Sequence, residues 1–230
     1  ADKYPGGKAR KANYDHYGER ALLDILEGNL MHISDGVLSA PVWIGGYAAA
    51  AGIIAVSMKK IEVENMPKVA VMTSAFFVAS LIRVPLGPTS VHLVLNGLVG
   101  IILGPAAFIS IFVGLVLQAL LFQHGGITTI GINAIMMGTP ALLAYKIFNL
   151  RNKFSFRKNE FIFGALAGGS GVFFGTGILA LALITTGSEF MGVAKYAALA
   201  HLPVMIIEGI MTGFMASFLM RVKPEILKGG

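Results

Sequence analysis

Met31-His32-Ile33-Ser34-Asp35-Gly36-Val37-Leu38-Ser39-Ala40-Pro41-Val42-Trp43 is where this chain changes character. Upstream, residues 1–30 set Lys3, Lys8, Arg10, Lys11 and Arg20 against Asp2, Asp15, Glu19, Asp24 and Glu27. That stretch holds no apolar run long enough for the core of a secretory signal. Leu22, Leu23, Leu26 and Leu30 recur at helical spacing, which allows a short amphipathic helix, with a flexible polar tail as the other reading. Downstream of Gly36 the chain becomes almost continuously apolar. The sequence therefore divides into a polar extension, 1–30, and a membrane region, 31–230.

The bulk composition supports that division. Of 230 residues 55% are hydrophobic and only 13% charged, and the mean hydropathy is +0.74. A soluble domain carries about 25% charged residues. So much apolar surface cannot be hidden in one water-soluble core, and an all-α integral membrane protein is the expected class. Abundant glycine suits close approach of membrane helices. The absence of cysteine excludes disulfides, thiolate metal sites and cysteine nucleophiles.

Seven apolar spans can be placed, near 39–58, 68–85, 90–103, 105–122, 132–149, 161–186 and 195–220. A straight crossing needs about 20 residues, so the third is too short unless the structure around it is recessed. Pro88 and Gly104-Pro105 limit it. Eleven basic residues, from Lys59 to Lys228, fall in the loops on one side of such a bundle. Only Arg83 and Lys195 fall on the other side after residue 30. This bias predicts an N-terminus outside and a cytoplasmic C-terminus, in a plasma membrane. The +6 net charge is then a matter of topology, and gives no reason to expect nucleic-acid binding.

Chemistry-bearing residues are few. His32 precedes the first span and His92, in Pro88-Thr89-Ser90-Val91-His92-Leu93, opens the third. Both are expected at the outer face. Imidazole suits nickel, copper, zinc and cobalt better than magnesium or calcium. Two histidines alone are a weak signal, equally compatible with polar groups satisfied at a membrane interface. Position adds weight. In a chain starting at Met31, the terminal amine, the next peptide nitrogen and the His32 imidazole could form fused chelate rings. His92 would close a planar four-nitrogen set, a geometry suited to Ni(II) or Cu(II).

Asp35, Ser90, Asn96 and Asn133 are candidates to support that site, and His124 in Gln123-His124-Gly125-Gly126 is either a further imidazole or an exposed loop residue. Gln118 is a candidate for bridging helices. Glu208 follows His201 by seven residues, so the two share a helix face. A carboxylate within a span is a functional candidate by default, the alternative being a structural hydrogen bond. Ala51-Gly52-Ile53-Ile54-Ala55 is a small-residue pattern that lets another helix dock. No phosphate loop, His-Glu-x-x-His or Gly-x-Ser-x-Gly motif occurs. An enzyme is therefore not expected.

The run from Met31 to Trp43 resembles the opening of the CbiM/NikM proteins, the substrate-binding membrane components of energy-coupling factor cobalt and nickel importers. The likeness continues through Pro88-Thr89-Ser90-Val91-His92-Leu93 and Gly104-Pro105. It resumes from Gln118 through His124-Gly125-Gly126 to Asn133 and Gly138. The resemblance implies a metal site formed by the amine of Met31, the amide and imidazole of His32, and His92. The cargo would be Ni2+ or Co2+, without an organic cofactor. It also implies a membrane coupling subunit, cytoplasmic ATPases and a small accessory membrane subunit as partners, and a link to cobalamin biosynthesis. Ala51 and Ala55 would contact the coupling subunit.

One departure stands out. In the family the methionine is normally residue 1, and thirty residues precede it here. A misplaced start is one explanation: the codons of Leu26-Glu27-Gly28 can spell a ribosome-binding site, and the basic residues of 1–30 sit on the wrong side of the membrane. The other is a genuine extension, with the site rebuilt from His32, His92 and His16, Asp35 or His124. A competing functional reading is a self-sufficient cation or proton-coupled transporter using His201 and Glu208. Under the capture reading, Glu208→Gln is expected to leave metal retention unchanged, whereas His92→Ala abolishes it.

Overall fold

The computed structural model describes residues 32–86, 89–154 and 157–228. The extension, His16 and Met31 lie outside them. The described helices are α1 (Ala40–Met58), α2 (Met66–Leu81), α3 (Asn96–Leu103), α4 (Ala107–Phe122), α5 (Ile130–Asn149), α6 (Asn159–Thr186) and α7 (Met191–Val222), with a last turn, α8 (Glu225–Lys228). Between α2 and α3 lies a two-stranded antiparallel ribbon, β1 (Arg83–Leu86) and β2 (Thr89–His92). Its register pairs Arg83 with His92 and Leu86 with Thr89.

Seven helices form the bundle, as the hydropathy pattern predicts, but two limits need correction. The second span ends at Leu81 rather than 85, and the third begins at Asn96 rather than 90. The residues between them are the ribbon and its exit. Their apolar, partly β-branched composition reads like span in a hydropathy window. Pro85 has no N–H for a helix to use, and a hairpin accommodates both arms.

By length and apolarity, five segments suffice to cross a bilayer: 40–58, 96–122, 130–153, 159–186 and 191–222. The segment 96–122 is broken by the tight turn Gly104–Ala106. At 1.5 Å per residue, eight-residue α3 is only about 12 Å long, against a hydrocarbon core of about 30 Å. It is a half-helix, and every one of its residues is buried.

The half-helix is admitted by glycine. A Cβ on Gly97 would collide with the main chain of Ala167 and Gly168 in α6, and one on Gly100 with the Ala141 carbonyl in α5. Backbone contacts of this kind cannot yield by rotamer change. Gly100→Ala should therefore destabilise the bundle by about 1–3 kcal/mol, the usual cost of overpacking. Gly45→Ala on α1, where nothing lies within 4 Å of the added carbon, should not. Thermal unfolding in detergent separates the two.

The same logic joins α6 to α7, the most extensively paired helices. A Cβ on Gly164 would lie 2.8 Å from Ala216 Cβ, and one on Gly213 2.8 Å from the Phe161 carbonyl oxygen. Small residues thus bring two long helices into main-chain contact.

The ends of the bundle differ in charge. At one end Lys68 Nζ donates to the Ile226 carbonyl at 2.8 Å, and Arg151 Nη2 to the Leu227 carbonyl at 3.3 Å. These cations serve the last carbonyls of the chain, where helix ends lack internal partners. Helix alternation places the other basic residues of the α1–α2 and α5–α6 loops and the end of α7 at this same end. His32 and the ribbon lie at the opposite end.

Candidate metal site

The site is best built from the loop that joins α4 to α5. Helix α4 stops where Gln123 takes a left-handed conformation, φ 54°, followed by Gly125 at φ 74°. His124 N–H then returns to the Gln118 carbonyl at 3.2 Å. Thr129 N–H bonds the Gly126 carbonyl at 3.1 Å, and Asn133 N–H bonds the Thr129 carbonyl at 2.9 Å. One polar face, Thr129 and Asn133 at helical spacing, is thereby turned toward residues 32–36.

That face grips the chain beside His32. Asn133 Oδ1 accepts from Ile33 N–H at 3.0 Å, and its Nδ2 donates to the Ile33 carbonyl at 3.1 Å. Thr129 Oγ1 donates to the same carbonyl at 2.6 Å. Both polar main-chain groups of a buried residue are therefore satisfied by side chains, as burial requires. Asp35 fastens the other side. It accepts from Ile127 N–H at 3.1 Å, Thr128 N–H at 2.9 Å and Thr128 Oγ1 at 2.5 Å. The Tyr47 hydroxyl on α1 donates to the Ile127 carbonyl. A Cβ on Gly126 would fall on the Asp35 carboxylate, which is why the loop can close so tightly.

His32 is held in this grip, 8% exposed. Its ring lies nearly parallel to that of His124, with centroids 6.3 Å apart and planes 17° apart. His124 is half-buried. It shares the His32 neighbourhood, whereas the sequence reading left open an exposed loop residue.

His92 sits on β2 at the same end of the bundle. This differs from the expected start of a span: three residues, 93–95, separate it from α3. Ser90 is on β2 opposite Pro85. Asn96 is the first residue of α3, 1% exposed and packed on Gly171 and Gly175 of α6. Gln118 bridges helices, donating to Ser80 Oγ at 2.7 Å. Ala51 and Ala55 are exposed on α1, with open space beyond Gly52. Among the described residues, no three His, Cys, Asp or Glu side chains form a metal-holding group. The arrangement stacks His32 on His124; Asp35 accepts three hydrogen bonds from residues 127–128 instead.

The sequence reading named Asn133 and Glu208 but not their partners. The Asn133–Ile33 pairing has a faint signal, the Thr129/Asn133 spacing at the start of an apolar span. The pairing of Glu208 has none. Its oxygens accept from Val94 N–H at 2.5 Å and from Leu95 N–H at 3.1 and 3.2 Å, a tertiary contact across 113 residues.

Residues 32–226 match the family described as CbiM, cobalt uptake substrate-specific transmembrane region. The chain belongs to the CbiM family. This CbiM-family chain is 32% identical over 245 residues to the cobalt transport protein CbiM of Clostridium tetani, covering 95% of the chain and 98% of that protein. It is 31% identical over 214 residues to the CbiM of Sorangium cellulosum, covering 86% and 94%. The crystal structure of a transition metal transporter matches with a TM-score of 0.68 and 27% identity, over 84% of this chain and 94% of that one. Two further similar proteins carry names that describe fusions. CbiMQ of Methanocorpusculum labreanum is 32% identical, with 85% of this chain and 36% of that protein covered. NikMN of Archaeoglobus fulgidus is 27% identical, with 86% and 68% covered. The CbiM-family chain is thus a membrane protein of a cobalt and nickel transport family.

Proposed function

We propose that this chain captures Ni(II) or Co(II) at the outer face of a prokaryotic plasma membrane and delivers it to an ATP-driven importer. The observation that carries the reading is the two-way pairing of Asn133 with Ile33. It fixes the residue after His32 and so holds a buried imidazole at the ribbon end, where β2 carries His92. His32 and His92 act as ligands. Where a chain begins at Met31, its amine and the His32 amide complete a planar set. Asp35, Ser90, Asn96 and Asn133 are the supporting residues.

The basic end faces the cytoplasm, following the positive-inside rule. The relatives named as fusions, CbiMQ and NikMN, support association with further transport subunits. A membrane coupling subunit, cytoplasmic ATPases and a small accessory membrane subunit fill that role. The exposed small residues Ala51 and Ala55 on α1 offer the coupling subunit a close approach. The chain itself works by binding rather than by catalysis.

Equilibrium dialysis of the purified protein against NiCl2 or CoCl2 tests the reading. One ion per chain is expected, retained in excess Mg2+; no retention of either ion would sink it. Asn133→Leu leaves the Ile33 N–H without its partner and the Ile33 carbonyl with Thr129 alone. It should weaken Ni(II) binding by about 10–100-fold, the range for groups that orient a ligand.

The relay reading gains no such support. His201 Nδ1 lies 2.6 Å from the Ala197 carbonyl on its own helix, while the Glu208 oxygens are turned to residues 94–95.

A further inference from the structure

We propose that Glu208 is a positioning residue for the metal site, its carboxylate on α7 fixing the main chain immediately after His92. The inference rests on the capture reading above and assigns a part of that site which the sequence left as a separate relay or a passive structural group.

Three observations converge. Glu208 is completely buried, and both its oxygens are directed at main-chain N–H groups two and three residues beyond His92. Second, those groups belong to the only stretch joining the ribbon to α3. Non-helical backbone at membrane depth persists only where protein satisfies it. Leu95 takes a left-handed conformation, φ 53°, which non-glycine residues adopt rarely. Such a turn keeps its shape when its surroundings over-determine it, and the carboxylate supplies that constraint. Acceptor oxygens also suit the N-terminal end of α3, where N–H groups lack helical partners.

Third, Glu208 is itself fixed. A Cβ on Gly168 of α6 would lie 2.5 Å from the Glu208 carbonyl oxygen, and one on Gly209 3.0 Å from the Ala165 carbonyl oxygen. The α6–α7 pair therefore holds the carboxylate in place. The ribbon, with two strands only, is not self-supporting. The main chain at residue 92 inherits its depth from the tether at 94–95. An amide at 208 cannot replace it: Gln keeps one acceptor oxygen but points an N–H2 at the Leu95 N–H, so the second acceptor is lost. Loss of metal retention in Glu208→Gln is thus the expected result, which reverses the sequence expectation for this substitution.

The test uses the full chain in detergent, with CoCl2 and NiCl2 as probes. Affinity by equilibrium dialysis and the d–d absorption of bound Co(II) are measured for wild type, His92→Ala, Glu208→Gln, Glu208→Asp and Gly114→Ala. Glu208→Gln should bind about 10–100-fold more weakly, as for other ligand-orienting groups, with a shifted spectrum. Glu208→Asp keeps the carboxyl group one methylene short and should recover part of both. Gly114→Ala crowds the Phe76 ring of α2 from α4 without touching α6, α7 or residues 94–95. It should lower the melting temperature and leave affinity and spectrum as in wild type.

Wild-type affinity and spectrum in folded Glu208→Gln would overturn the proposal. So would an affinity loss in Gly114→Ala equal to that of Glu208→Gln, since general loosening would then explain both. If Glu208→Gln does not fold, Glu208→Asp decides: a shifted spectrum with weaker binding upholds the tether, and wild-type behaviour overturns it. If wild type binds neither ion, or His92→Ala binds like wild type, the capture reading fails independently of the Glu208 results.

Discussion

His92→Ala is expected to abolish retention of Ni(II) and Co(II), lowering affinity by more than about 100-fold. Substitutions in the supporting shell of metal sites cost about 10–100-fold, and removing a ligand must exceed that. The substitution leaves the β1–β2 main-chain register intact, so the protein should remain folded and monodisperse. The nearest comparison is His124→Ala. Its ring lies 6.3 Å from that of His32, and the capture reading gives it no bond to the ion. It should therefore change affinity by about tenfold at most, within the supporting range. His201→Ala, on α7 and bonded to its own helix, should leave binding unchanged. Isothermal titration of the three variants separates capture from relay: loss in His201→Ala with retention in His92→Ala would sink the capture reading.

The second large effect concerns Met31. A version whose first residue is Met31 should bind Ni(II) more tightly than the 230-residue chain by about 100-fold or more. Donors joined in one chelate gain about 10²–10⁴ in apparent affinity without any new kind of contact. The free amine, the His32 amide and the His32 imidazole would share such a chelate. In the longer chain, position 31 offers a peptide nitrogen instead of an amine. The geometry of the ion reports the difference directly. Four nitrogens in a plane give diamagnetic Ni(II) with sharp proton resonances, whereas an octahedral or tetrahedral rebuilt site gives paramagnetically shifted ones. Equal affinity and paramagnetic shifts in both versions would remove the amine from the site. Intact mass of the protein from its own host then says which version operates in the cell.

Much of the scaffold could be read from residue order, because the bilayer imposes length and apolarity. Gly104-Pro105 marked the break between α3 and α4, and the long runs behind α6 and α7 were placed within a few residues. The shortness of the third span signalled a recessed element before its buried half-helix was seen. What hydropathy could not convey was the ribbon. Val84, Val91, Leu93 and Val94 satisfy a membrane window as readily as a hairpin, since hydropathy has no memory of period.

The candidate site was legible as two imidazoles and opaque in the partners around them. His32 and His92 stand out because imidazoles are rare in so apolar a chain. Asn133 and Glu208 are polar residues in apolar runs, and sequence leaves such a residue free to bond any neighbouring helix. Only the fold shows that Asn133 faces Ile33 and that Glu208 reaches 113 residues back to Leu95. Local patterns are encoded locally; partners across the bundle are not.

The glycine seam between α6 and α7 restricts which sequences this fold can accept. Gly164, Gly168 and Gly213 face main-chain or Cβ atoms at distances too short for a side chain, and Gly209 is nearly as tight. Glycine is already the smallest residue, so every replacement there is an enlargement, and no truncation can relieve the crowding it causes. Positions that carry no ligand, no charge and no hydrogen-bonding side chain thus have a narrow tolerance. A saturation library scored for folded protein in the membrane would show that intolerance as sharply as one scored for metal shows the histidines.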